Sequence, residues 1–228
     1  MRLALRRFIP VGVVVAVALG FLSHPGSGSF GLGTAAAQEL PSTPQATFDR
    51  GSVYLLRGFA NIWSRGLDEF GKELDDIGIR NVVLNHRDWR RVAAEAEKRY
   101  FADENYAPII VIGHSLGVNG SLLMAERLAK SRIPIRLIVA YEAIARDSDT
   151  KFRVPANVEE VLNFYKKGVL GIELIPGRGF AGKLENVDTR GVRGTTHYKI
   201  DKNPELRAVV KALVVDTLIQ EQEQKAAN

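Results

Sequence analysis

Ser115 stands in the run Gly113-His114-Ser115-Leu116-Gly117. A serine hydroxyl becomes a strong nucleophile only when a base takes its proton. The sequence has four histidines that could serve. His24 falls in the leader described below. His114 adjoins Ser115, where a neighbouring side chain points away from the nucleophile. His197, in Gly194-Thr195-Thr196-His197-Tyr198, comes just before the last helical stretch, where a loop can fold back over strand ends. It is the first candidate for the base. His86 can line the same pocket or anchor the turn from Asn85 to Trp89.

Such a base needs a carboxylate to hold its ring and its tautomer. Glu142 is the first choice, because it closes the apolar strand that follows the serine helix. Asp147 comes next, on the following loop with Asp149; Asp188 lies in a glycine-rich region. Asp201 is near His197 but is placed to help start the last helix. Glu142 would give the order serine, acid, histidine. An oxyanion would need two amide donors. Leu116 N–H follows the serine, and Phe59 N–H lies in Arg57-Gly58-Phe59-Ala60, where Gly58 lets the backbone turn inward. Gly58 and His114 are candidate substrate contacts. Arg57 can pair with a carboxylate near the pocket or face solvent. The competing reading of Ser115 is a tight strand-to-helix turn whose serine only caps the helix.

These residues need a scaffold, and the patterning supplies one. Ile109 to Ile112 is a β-branched run that reads as a buried strand, and Val118 to Lys130 reads as the helix after the serine turn. Ser52 to Leu56, Arg80 to Leu84 and Ile133 to Ala140 are further strands. Leu67, Phe70, Leu74 and Ile77 fall at helical spacing, and Gly78 closes that helix. Asp88 suits an N-cap for a helix through Trp89, Val92, Ala96 and Tyr100. Val158 to Tyr165 is a last main strand or a short helix. Lys166 to Gly194 looks irregular. Asn203-Pro204 starts a final helix that runs to about Gln220, with Leu206, Val209, Val210, Leu213 and Leu218 on its buried side. Strands alternating with helices predict an α/β three-layer sandwich, a mainly parallel sheet with helices on both faces. Ser115, the Gly58 loop and Glu142 all sit at strand carboxyl ends, the ligand-binding edge of such sheets.

The first forty residues differ from the rest. Arg2, Arg6 and Arg7 precede an almost wholly apolar run, Phe8 to Leu22, and a small-residue stretch ends Ala35-Ala36-Ala37-Gln38. That order predicts a secretory signal over 1–37, cleaved after Ala37, and a periplasmic or secreted product. The alternative is an uncleaved anchor. Residues 38–51 read as a flexible lead-in, 52–220 as one domain and 221–228 as a polar tail. There is no cysteine, so core packing alone must hold the fold. Loss of the three leader arginines takes the net charge from +5 to +2, too mild for a nucleic-acid partner. No metal-ligand set is legible, since the histidines are few and dispersed. Gly177-Arg178-Gly179-Phe180-Ala181-Gly182 matches a dinucleotide fingerprint, but no helix follows to cradle a phosphate. No cofactor is expected.

Taken with Arg57-Gly58-Phe59-Ala60-Asn61-Ile62-Trp63-Ser64-Arg65-Gly66, Asn85-His86-Arg87-Asp88-Trp89, Val154-Pro155-Ala156-Asn157-Val158 and His197-Tyr198-Lys199-Ile200-Asp201, the serine turn resembles the α/β-hydrolase superfamily. More narrowly, the chain is similar to small secreted bacterial lipase- or thioesterase-like proteins over about residues 52 to 218. The resemblance implies Ser115 as nucleophile and His197 as base; the chain is too short for more than a minimal cap, so the cleft is expected to be open or covered by residues 166–194. Two positions differ from the common pattern: Arg57-Gly58 replaces His-Gly, and Glu142 stands where aspartate is frequent. The expected activity is hydrolysis of a small-molecule or lipid acyl ester, carboxylic or thio, through an acyl-enzyme. Acyl transfer by the same serine and a non-catalytic envelope binding protein on the same fold are the alternatives.

Overall fold

A run of β-branched residues with no polar break is the pattern of a strand covered on both faces, and Ile109 to Ile112 is fully buried at the centre of the sheet. The computed structural model describes residues 48–59, 64–144, 152–168 and 171–227. The expected signal over 1–37, most of the lead-in, and Asp147 and Asp149 lie outside the described residues. In chain order the elements are β1 (Ser52–Arg57), α1 (Arg65–Asp75), β2 (Asn81–Asn85), α2 (Trp89–Ala102), β3 (Ile109–His114), α3 (Leu116–Ala129), β4 (Leu137–Tyr141), β5 (Arg153–Val154), β6 (Glu160–Tyr165), β7 (Ile175–Pro176), β8 (Lys183–Asp188) and α4 (Pro204–Ala226).

Six strands form one sheet in the order β2-β1-β3-β4-β6-β8, and every pairing is parallel. β5 and β7 make a separate two-stranded piece. The chain steps from β1 outward to β2, then returns across β1 to β3. Right-handed crossovers therefore put α1 on one face and α2 and α3 on the other. The packing follows that rule. Ile109 and Val111 point into a core with Val92 and Ala96 of α2 and Val118, Leu122 and Leu128 of α3. Ile110 and Ile112 point the opposite way, against Leu67, Phe70 and Leu74 of α1 and Leu206, Val210 and Leu218 of α4. This is the three-layer α/β architecture with helices on both faces. Each fully buried Leu or Ile side chain contributes roughly 1.5–3 kcal/mol, so both faces are strongly held.

Several local expectations are corrected. The stretch read as irregular contains β8, the sixth strand of the main sheet. It is an edge strand and half-buried. Leu184 packs toward the α2/α3 core and Val187 toward the α1/α4 core, so each face carries one apolar residue and no hydrophobic run marks it. Asp88 does not cap α2 with its side chain. A short 3-10 turn, His86–Asp88, precedes the helix, and the Asn85 side chain accepts the Arg87 amide. The final helix extends past Gln220 to Ala226, so the described part of the polar tail is helical. Polar contacts hold that extension: Glu221 to Arg136 and Lys225 to Glu104. The end of the lead-in is also anchored, since Gly51 N–H donates to Asn105 O at 2.8 Å and Phe48 packs on the α1/α4 core. Asn203 does cap α4, its Oδ1 accepting from Glu205 and Leu206 amides. Among the described residues no helix is long and apolar enough to cross a membrane.

Candidate active site

The chain changes direction between β1 and β3, and in a parallel sheet that switch point opens a crevice at the strand carboxyl ends. Ser115 lies there, between β3 and α3. Its backbone is at φ 58°, ψ −121°, left-handed and strained for a residue with a side chain. Close approach on either side makes the turn possible. A Cβ on Gly117 would lie 1.8 Å from Leu56 O, so only glycine lets α3 start against the end of β1. A Cβ on Gly58 would lie 2.9 Å from Ser115 Cβ, so the loop after β1 packs directly on the serine. Ser115 N–H donates to Tyr141 O at 2.9 Å, which ties the turn to β4.

His197 and Glu142 converge on that serine from separate segments. His197 Nε2 is 3.1 Å from Ser115 Oγ. His197 Nδ1 is 2.8 Å from Glu142 Oε2. A carboxylate can only accept, so Nδ1 carries the proton, and neutral Nε2 is left to accept from the serine hydroxyl. Glu142 follows β4 at φ 48°, and its amide donates to Phe164 O of β6 at 2.8 Å. Its side chain is 1% exposed, and Oε1 has no hydrogen-bond partner among the described residues. Among the described residues, the carboxylate's side-chain hydrogen bond is the one to the histidine.

A buried relay holds the histidine loop, and the sequence reading missed it. His114 is not a substrate contact: it is 1% exposed and both ring nitrogens are engaged. Its Nε2–H donates to His197 O at 2.7 Å. Nδ1 must then accept, so Ser64 Oγ–H donates to it at 2.7 Å, and Gly58 N–H donates to Ser64 Oγ at 2.8 Å. The chain Gly58, Ser64, His114, His197 thus links the loop after β1 to the backbone of the base. Burial pulls the His114 pKa down to about 4, with the neighbouring His197 ring adding to the effect. His114 stays neutral and keeps the tautomer the relay needs. Ser64 directly precedes α1, where a serine ordinarily signals a helix cap, so no local pattern marks its part in the relay.

The remaining candidates are placed as follows. Leu116 begins α3, so its amide is one of the first-turn donors without an intrahelical acceptor. Phe59 follows Gly58 at the mouth and is 44% exposed. His86 Nδ1–H donates to Gly58 O at 3.1 Å, and its ring lines a cavity of about 580 Å³ beside Leu116 and Phe59. Arg57 forms a close bidentate pair with Asp68 of α1. Asp188 is held by Arg190 rather than by His197. Asp201 is corrected too. It is buried against the start of α1, not α4, and faces the amides of Gly66 and Leu67 without a well-formed hydrogen bond. That burial raises its pKa to about 6. Among the described residues no group of three or more His, Cys, Asp or Glu side chains could hold a metal ion. Gly177–Gly182 forms a turn that leads into β8, with no helix after it.

No family model matches this chain, and no curated protein does. Among solved structures, it is similar to a protein from Xanthomonas campestris pv. campestris described as a candidate hydrolase of the alpha/beta superfamily. The identity is 16%, the match covers 76% of this chain and 99% of that one, and the TM-score is 0.39. A likeness that distant says nothing about individual site residues.

Proposed function

We propose that this protein is a serine hydrolase of acyl esters or thioesters that acts outside the cytoplasm. The observation that carries the reading is the succession of contacts from Ser115 Oγ through the His197 ring to the Glu142 carboxylate, at 3.1 and 2.8 Å. Such geometry lets one imidazole take the serine proton while the carboxylate stabilises the imidazolium. The leader, basic then apolar then Ala-x-Ala, supports export.

Ser115 Oγ attacks the acyl carbonyl carbon, and its proton passes to His197 Nε2. The carbonyl oxygen becomes an oxyanion that the Leu116 and Phe59 amides stabilise. Collapse breaks the bond to the leaving group, which takes the proton from His197. Water then attacks the acyl-serine with His197 again as base, releasing the acid and restoring Ser115. The strained serine backbone holds Oγ clear of its own main chain throughout.

Turnover of short p-nitrophenyl esters by the purified protein tests this. Wild type should hydrolyse them, and Ser115→Ala should lose roughly 10⁴-fold or more in kcat. A folded wild-type protein with no activity above the variant on any ester or thioester would sink the reading.

A further inference from the structure

The cavity beside Leu116 and Phe59 has a definite lining that includes two cations and, among the described residues, no anion. Leu116, Asn119, Gly120 and Leu123 line it from one face of α3. Those positions span about 10 Å along the helix axis. Its volume of about 580 Å³ suits a small ligand. The opposite lip is the turn before α2 and that helix's first residues, where Trp89 adds apolar wall and Arg87 and Arg90 add charge. The Arg90 guanidinium lies 4.4 Å over the Trp89 ring. Both arginines are exposed and, among the described residues, neither forms an ion pair, unlike Arg57, Arg99, Arg127 and Arg136. The one acid on that turn, Asp88, faces Arg91 at 4.0 Å. Among the described residues, no carboxylate lines the cavity.

We infer that this cavity selects the acyl part of the substrate, and that the preferred acyl chain carries a negative charge at its far end. The inference rests on the hydrolase reading of Ser115. A leaving group must sit at His197 Nε2 to receive its proton; neither His197 nor Ser115 lines the cavity, whereas Leu116 and Phe59, whose amides would hold the oxyanion, do. The cavity lies instead on the Leu116 and Phe59 side, where the acyl chain would run. Apolar walls accommodate methylenes, and the two arginines at the lip attract an anion. A neutral fatty chain would meet the same walls but offer neither cation an anion.

The test compares p-nitrophenyl monoesters of succinate, adipate and suberate with neutral acyl esters of matched length. The readout is the ratio of kcat/KM, charged over neutral, within each protein. Wild type should favour the charged ester by about tenfold for the longer chains, two exposed charge pairs acting together. That ratio should shrink as salt is raised. In the Arg87→Ala/Arg90→Ala variant, checked for native circular dichroism, it should fall to near one. Neutral esters turned over at least as well as charged ones by wild type would overturn the inference while leaving the hydrolase reading intact. So would an unchanged ratio in the double variant. Should no ester be turned over, the hydrolase reading fails, and calorimetric titration of the wild-type protein with monomethyl suberate decides the cavity separately. Binding that weakens about tenfold in the double variant supports the anion site, while absent or unaltered binding refutes it.

Discussion

Ser115 and Glu142 both hold left-handed backbone, at φ 58° and 48°, a conformation that costs a non-glycine residue about 1–3 kcal/mol. Two such residues meeting one histidine is strain concentrated where geometry matters. Glu142→Gln keeps the volume but no longer demands a donor at His197 Nδ1. Its kcat should drop about 10²- to 10⁴-fold with little change in KM, as measured by steady-state kinetics. Ser64→Ala strips the Gly58 amide and His114 Nδ1 of their shared partner. Unfolding in urea should show a loss of about 1–3 kcal/mol, and kcat should fall with it; Ser64→Thr, which keeps the hydroxyl, should recover kcat if the relay positions His197. Two buried groups also make stability depend on pH in opposite ways. Asp201 titrates near 6 when folded against an ordinary 3.8, so its burial is tolerated below pH 4 and costs stability as pH rises through 6. His114 titrates near 4 against an ordinary 6.5, so its contribution is lost as pH falls from 6.5 through 4. Each shift of roughly two units corresponds to about 3 kcal/mol. Relative to wild type, Asp201→Asn should gain stability as pH rises from 4 to 6, and His114→Gln should lose it over the same interval. Urea unfolding at several pH values checks both signs.

Elements explain why those residues can meet. α3 begins one residue after the serine, with its first turn pressed on the end of β1. Gly117→Ala would drive a methyl into the Leu56 carbonyl, and neither backbone can yield without opening the sheet. The variant should be insoluble or lose more than about 3 kcal/mol in urea, beyond the usual range for overpacking. α4 is fixed at its start by Asn203, and Asn203→Ala should cost about 1 kcal/mol, read as a lower urea midpoint with unchanged slope. Legibility also divides by element. β3, α3 and α4 were plain in the sequence because burial on two faces or a cap followed by proline leaves a strong pattern. β8 was not, because an edge strand with one apolar residue per face resembles a loop. The helical tail was not, because what holds it is distant: Arg136 and Glu104 are remote in sequence. At the site, Ser115 and His197 could be singled out from residue type and chain order, with Glu142 the first choice of acid and Asp147 next. The Ser64–His114 relay could not, since its members become neighbours only when β1, α1 and β3 are assembled.

At the scale of the molecule, one topological fact gathers the parts. The sheet reverses its direction of growth between β1 and β3, and right-handed crossovers send the flanking helices to opposite faces. The crevice left at that point holds Gly58 from one strand end and Ser115 from the next, with Glu142 beyond β4. The closing loop before α4 brings His197 over them. The proposed export gives a further expectation. The full chain expressed in a bacterium with a general secretory route should yield an exported protein beginning at Gln38, which intact mass determines; a cytoplasmic protein retaining Met1 would contradict it. The decisive test of the whole reading is covalent. The folded protein is treated with a fluorophosphonate, and the adduct is located by peptide mass spectrometry. A single adduct on Ser115, absent from His197→Ala, is the predicted result. A folded protein that takes up no label, or takes it elsewhere, would contradict an activated serine at the heart of this fold.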